Sequence, residues 1–222
     1  MQFTEANGAK IPTLGLGTWQ LSGRSGARVI EQALRLGYRH IDTAKNYGNE
    51  RDVGEALRAS GVGREEVFVT TKVPASDLAP ANLERAAKQS LANLRLSEVN
   101  LLLIHWPNAR IPLAETMGAM CKMKREGYAR HIGVSNFTVA LLDEAATLAS
   151  EPLVTNRSNG TRISSRARCR RLARARASRS PPIRRSRRGR RRVTTRWRGS
   201  ASGTARRRGR CRCDGSCRTA RS

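Results

Sequence analysis

Four short apolar, β-branched runs end on polar residues at a nearly constant interval. YRHID closes at Asp42, VFVTTK at Lys72, VNLLLIH at His105 and RHIGVSN at Ser135 and Asn136. The closing positions 42, 72, 105 and 135 lie 30, 33 and 30 residues apart, the length of one strand, one helix and a return loop. Parallel strands need a crossover of that kind, so the spacing predicts a βα repeat. Between the runs, GARVIEQALRLG, NERDVGEALRAS, ANLERAAKQSLANL, LAETMGAMCKMKREG and VALLDEAATLAS place apolar residues three and four apart, the period of an amphipathic helix. Gly37 and Gly127 stand just past the last apolar turn of two of them, where a left-handed cap is expected. LGLGTW at 14–19 predicts a first strand and PLVTN at 152–156 a sixth. The opening QFTEANGAKIP carries Asn7-Gly8 between two short strands, a hairpin suited to plug the bottom of a barrel.

Two α/β architectures use such units. A dinucleotide-binding doubly wound sheet needs GxGxxG at its first strand-to-helix turn, and Gly15-Leu16-Gly17-Thr18-Trp19-Gln20 has Gln at the sixth place. No GxxxxGK phosphate loop is present either. The alternative is a (β/α)₈ TIM barrel, in which polar residues at the carboxyl ends of successive strands converge on one face. Asp42, Lys72, His105 and Ser135 occupy those ends.

Each of these residues has an ordinary structural role open to it: a cap, a solvated loop charge, a packed histidine beside Trp106. Together with Tyr47 they make a workable acid. A phenol with a pKa of about 10 gives up its proton reluctantly at neutral pH, and an adjacent ammonium would lower that value. Lys72 could supply the charge, Asp42 could fix the lysine, and His105 could orient a substrate carbonyl towards Tyr47. An acid and an oriented carbonyl, with no metal cluster and no nucleophile, imply reduction by a hydride donor.

GLGTW, HIDTAKNYGNE, VTTKV, LLLIHWP and IGVSNF, in that order and spacing, resemble the aldo/keto reductases, and the stretch from HWP to GVSNF is similar to small bacterial members that include 2,5-diketo-D-gluconate reductases. The resemblance covers residues 1–156 and implies a (β/α)₈ barrel that reduces aldehydes or ketones with NADPH. It implies Tyr47 as proton donor, Lys72 and Asp42 as the pair that tunes it, and His105 as the carbonyl orienter. It also implies Thr18 and Asp42 near the nicotinamide ribose, Ser135 and Asn136 on the carboxamide, and Trp19 and Trp106 along the substrate pocket; packing at the barrel rim is the alternative for both tryptophans. No metal is expected. The partner is a small carbonyl compound, and the folded chain is expected to be monomeric.

Charge divides the chain at the point where the resemblance ends. Residues 1–156 hold 18 Lys and Arg against 16 Asp and Glu, whereas residues 157–222 hold 25 Arg and one acid, Asp214, so +24 of the formal +26 lies in the last 66 residues. With Ile163, Leu172, Ile183, Val193 and Trp197 as its only large apolar side chains, that segment cannot build a core, and its composition predicts disorder. The barrel is therefore expected to be incomplete, with about six strands and an N-terminal hairpin, and activity is expected to be absent or weak. Arginine without lysine is what GC-rich DNA gives in a displaced frame. With synonymous codons chosen freely, RSNGTRISSRAR can be re-read as VEWHAYLEPGE, which resembles the family's continuation, so residues 157–222 are expected to be a frameshift product. The rival expectation is a nucleic-acid-binding extension; non-specific polyanion binding is expected of it, specific recognition is not. Cys169, Cys211, Cys213 and Cys217 lack the paired spacing of a zinc site. No apolar run is long enough to span a bilayer and the first residues carry no signal-like segment, so a cytoplasmic protein with no membrane partner is expected.

Overall fold

The computed structural model describes residues 1–158. The expectations of disorder, displaced frame and absent zinc site beyond that point lie outside the described residues. An antiparallel hairpin, β1 (Phe3–Ala6) and β2 (Ala9–Pro12), precedes a six-stranded parallel sheet. Its strands, in spatial and chain order, are β3 (Leu16–Gly17), β4 (His40–Asp42), β5 (Phe68–Val73), β6 (Val99–Ile104), β7 (Ala129–Ser135) and β8 (Leu153–Arg157). Helices α1 (Gly23–Arg35), α2 (Glu50–Ala59), α3 (Pro80–Leu94), α4 (Leu113–Arg125) and α5 (Val139–Leu148) form the crossovers. Strand after strand adds to the same edge, which is the winding of a (β/α)₈ barrel carried through six of its units. None of these helices is long and apolar enough to cross a membrane.

Two separate apolar clusters follow from the alternation of side chains along each strand. Ile41, Val69, Leu102, Ile104, Ile132 and Val134 face outward and pack against the helices. Phe68, Leu101, Leu103 and Val154 face inward and meet Ala9 and Ile11 of the hairpin. The hairpin thus closes the amino-terminal end of the strands, as its sequence suggested. Asn7 and Gly8 take φ of +45° and +84°, the conformation an Asn-Gly turn favours. Asn7 Nδ2 donates to the Leu153 carbonyl at 2.6 Å, and His40, which also bonds Thr70 Oγ1 at 3.1 Å, contacts the Pro12 carbonyl at 3.3 Å. One short hairpin therefore ties β4 to β8.

Gly37 and Gly127 end α1 and α4 with φ of +101° and +79°. In each case the next residue's amide bonds back five positions, Tyr38 to the Ala33 carbonyl and Tyr128 to the Met123 carbonyl, both at 3.0 Å. Gly54 has a different reason to be glycine. A Cβ there would stand 2.5 Å from the Leu94 carbonyl oxygen, because α2 crosses the end of α3 backbone to backbone. Gly54→Ala is expected to cost about 1–3 kcal/mol by overpacking, read as a lowered urea midpoint; an unchanged midpoint would show that the two helices separate freely.

Candidate active site

The repeat delivers its polar residues to one place. Lys72, at the end of β5, is fully buried, and its ammonium donates to Asp42 Oδ1 from the end of β4 and to the Thr43 carbonyl at 2.7 Å. Its third neighbour is the Tyr47 hydroxyl at 3.4 Å. Tyr47 ends a short 3₁₀ turn, Lys45–Tyr47, that Gly48 closes in a left-handed conformation. Its ring stands edge-on to His105, centroids 5.8 Å apart at 80°. Four strand and loop ends thus bring Asp42, Tyr47, Lys72 and His105 into one cluster.

His105 is fixed by its backbone, which donates to the Val73 carbonyl at 2.9 Å and accepts from Asn136 Nδ2 at 3.0 Å. Its ring Nδ1 is buried without a hydrogen-bond partner among the described residues. Burial, and then the charges of Lys72 and Arg157, hold the imidazole below its usual value of 6.5, so it is neutral at pH 7.

Tyr47 departs from the expectation. Its pKa is raised above 10.0, not lowered: burial of the phenol is the largest cause and the Asp42 carboxylate the second. The Lys72 ammonium is committed to Asp42 and Thr43, so it presents little net positive charge to the phenol. Burial also outweighs Asp42 at Lys72 itself, whose pKa lies below the ordinary 10.5. The lysine acts on Tyr47 as a hydrogen-bond neighbour rather than as a bare charge.

Thr18 is buried against β4, its amide donating to the Asp42 carbonyl at 3.0 Å and its hydroxyl to the same oxygen at 3.3 Å. Ser135 is buried at the end of β7, followed by Asn136 with φ of +62°. Asn136 Nδ2 also reaches Ser135 Oγ at 3.4 Å. Trp19 and Trp106 are 67% and 49% exposed.

Two supporting residues were not legible in the sequence. Asn49, fully buried before α2, donates to the Thr18 and Leu21 carbonyls, both at 2.7 Å, and accepts from Thr43 Oγ1 at 3.1 Å. It locks the β3 loop to the β4 loop; a polar residue ahead of a helix was its only local signal. The other is Arg157, whose Nε pairs with Asp42 Oδ2 at 2.8 Å. A register shift between β7 and β8 sets Val134 opposite Asn156 and Ser135 opposite Arg157. Asn156 accordingly bonds the Phe137 backbone, and Arg157 points inward to Asp42.

The aldo/keto reductase family model matches residues 13–168. The chain belongs to the aldo/keto reductase family. Among curated aldo/keto reductases and their kin, it is similar to proteins named methylglyoxal reductase DkgB, with 42% identity to that of Yersinia pestis and 44% to that of Escherichia coli O157:H7. Each alignment covers 66% of this chain and 56% of the relative, so the chain spans little more than half the length of these proteins. Among solved structures, an aldo/keto reductase from Brucella melitensis superposes with a TM-score of 0.72 at 36% identity, covering 79% of this chain and 69% of that one. A Bombyx mori aldo-keto reductase in complex with NADP gives 0.70 at 31% identity, covering 77% and 63%.

Proposed function

We propose that this site is built for NADPH-dependent reduction of a small aldehyde or ketone to an alcohol, with Tyr47 as the proton donor. The observation that carries the reading is the Tyr47 hydroxyl 3.4 Å from a fully buried Lys72 that is itself paired with Asp42. The phenol stays protonated across the neutral range, so Tyr47 holds the proton that it would give, and the imidazole beside it is neutral. In this reading His105 orients the carbonyl oxygen, the Tyr47 proton moves to that oxygen, and Lys72 stabilises the phenolate left behind. Trp19 and Trp106 flank the substrate.

The residues present fit the nicotinamide end of the cofactor: buried Ser135 and the adjoining Asn136 at the end of β7, and buried Thr18 after β3, lie at the same carboxyl ends of the strands as Asp42, Lys72 and His105. NADPH, when bound, supplies the hydride. NADP in the Bombyx mori relative supports that cofactor, and methylglyoxal reductase relatives support a small, doubly oxygenated substrate. Arg157, at the end of β8, pairs with Asp42 within the cluster, and activity of this chain is expected to be absent or weak.

The test suits a slow enzyme. The full chain is incubated with methylglyoxal and NADPH carrying deuterium at the transferred position, and the alcohol is analysed by mass spectrometry. Deuterium in the product is expected; a product free of label after prolonged incubation overturns the reading. The charge of residues 157–222 favours a second, independent property, non-specific polyanion binding that weakens steeply with salt.

A further inference from the structure

The amino-terminal ends of the strands, opposite the Tyr47 cluster, form a second concave surface. A cleft of about 400 Å³ lies between the last turns of α2 and α3 and the segments that enter β5, β6 and β7. Its wall is apolar, with Leu57, Val62 and Leu96. Its rim carries four guanidinium groups, Arg58, Arg64, Arg95 and Arg130, against one carboxylate, Glu98.

The fold assembles these groups through the close helix crossing. Gly54 meets the Leu94 carbonyl, Arg58 lies one turn beyond Gly54 on the same face of α2, and Arg95 follows Leu94. The crossing therefore brings both Arg58 and Arg95 to the lining of one cleft. Arg64 is held by the Val67 carbonyl at 2.5 Å, Asn100 Oδ1 at 2.8 Å and the Glu98 carbonyl at 3.2 Å. Arg130 is held by Glu98. Burial is the main cause that pushes the Arg64 pKa down, the Arg130 charge adds to it, and the Glu98 and Glu65 carboxylates oppose it. Arg58 and Arg95 form no ion pair among the described residues.

Arg95 supplies an independent observation. It caps α3 with φ of +55°, a left-handed position where glycine or asparagine is the unstrained choice. A long cation stands where glycine or asparagine would be less strained, and strain of this kind concentrates at binding sites.

We propose that this cleft binds a phosphorylated organic molecule, with the phosphoryl group on Arg58 and Arg95 and the carbon body against Leu57, Val62 and Leu96. Paired guanidinium forks match phosphoryl oxygens, and a wall of aliphatic side chains beside a few fixed charges is the make-up of a small-molecule site. The site is distinct from the reductase cluster and stands whether or not that cluster turns over.

Thermal unfolding of the full chain tests it, with phenyl phosphate and inorganic phosphate as probes. Phenyl phosphate is expected to raise the midpoint with increasing concentration, and inorganic phosphate to raise it less. Arg95→Gly relieves the left-handed backbone, so its ligand-free midpoint is expected to rise while its affinity for phenyl phosphate falls about tenfold or more. Arg58→Ala is expected to weaken the response similarly. The arginine-rich residues 157–222 are the same in all three proteins, so the difference between them reads the cleft. An absent response in the parent chain, an equal response in the variants, or equal effects of the two probes would each overturn the proposal.

Discussion

Replacing Asp42 with alanine is expected to destabilise the protein by about 3–5 kcal/mol. The carboxylate is the counter-charge of Lys72, which is fully buried, and it also pairs with Arg157 at 2.8 Å. Without it the Lys72 ammonium keeps only the Thr43 carbonyl and the Tyr47 hydroxyl, while Arg157, part-exposed, can turn to water. Burial already holds the lysine below 10.5, and Asp42 is the main influence opposing that shift. The variant's Lys72 pKa therefore falls further. Between that lowered value and 10.5 the unfolded chain binds the proton and the folded chain does not, so the variant's stability rises with pH through this window. Below the window the deficit is complete. Urea midpoints from neutral to alkaline pH measure this, and a deficit that grows with pH would contradict it. Removing both charges, Asp42→Ala with Lys72→Met, is expected to recover part of the loss, since no buried charge is then left alone.

The same residues show what could be read without coordinates. The interval between Asp42, Lys72, His105 and Ser135 encodes strand ends, and strand ends in a parallel sheet with right-handed crossovers must share a face. That made the cluster legible, and the Asn-Gly hairpin and the glycine caps follow from local backbone chemistry alone. Arg157 was not legible, for two reasons. Its composition grouped it with the arginines that follow, and simple alternation along β8 from the outward Leu153 turns residue 157 away from the barrel. The register shift opposite Ile132 and Val134 reverses that parity, and nothing in PLVTNR announces it.

The direction of the Tyr47 shift was hidden for a different reason. Lysine next to tyrosine suggests a lowered phenol pKa only while the lysine charge stands uncompensated. Here Asp42 neutralises it at contact distance, and burial of the ring, a property of the assembled site and not of any motif, decides the sign. Asn49 belongs with these. Its bonds to Thr18, Leu21 and Thr43 join segments as many as 31 residues apart, a connection that local pattern cannot carry.

Tyr47→Phe is expected to lower deuteride transfer to methylglyoxal by about 10²–10⁴-fold, the usual worth of a positioned general acid. The fold should be nearly untouched, because Tyr47 is half-buried and its hydroxyl makes a single long contact, 3.4 Å to Lys72. The unfolding midpoint of the variant is therefore the control, and it should match that of the parent. pH gives a second, sharper criterion. The phenol is held above 10.0 and the imidazole below 6.5, so both keep their neutral forms across the neutral range. The parent's rate should stay level there and decline only in strongly alkaline solution, as Tyr47 loses its proton. In Tyr47→Phe the residual rate should lack that alkaline decline, because the group that titrates is gone. A parent profile that already falls near pH 7, or an alkaline decline that survives the substitution, would assign the proton to another group.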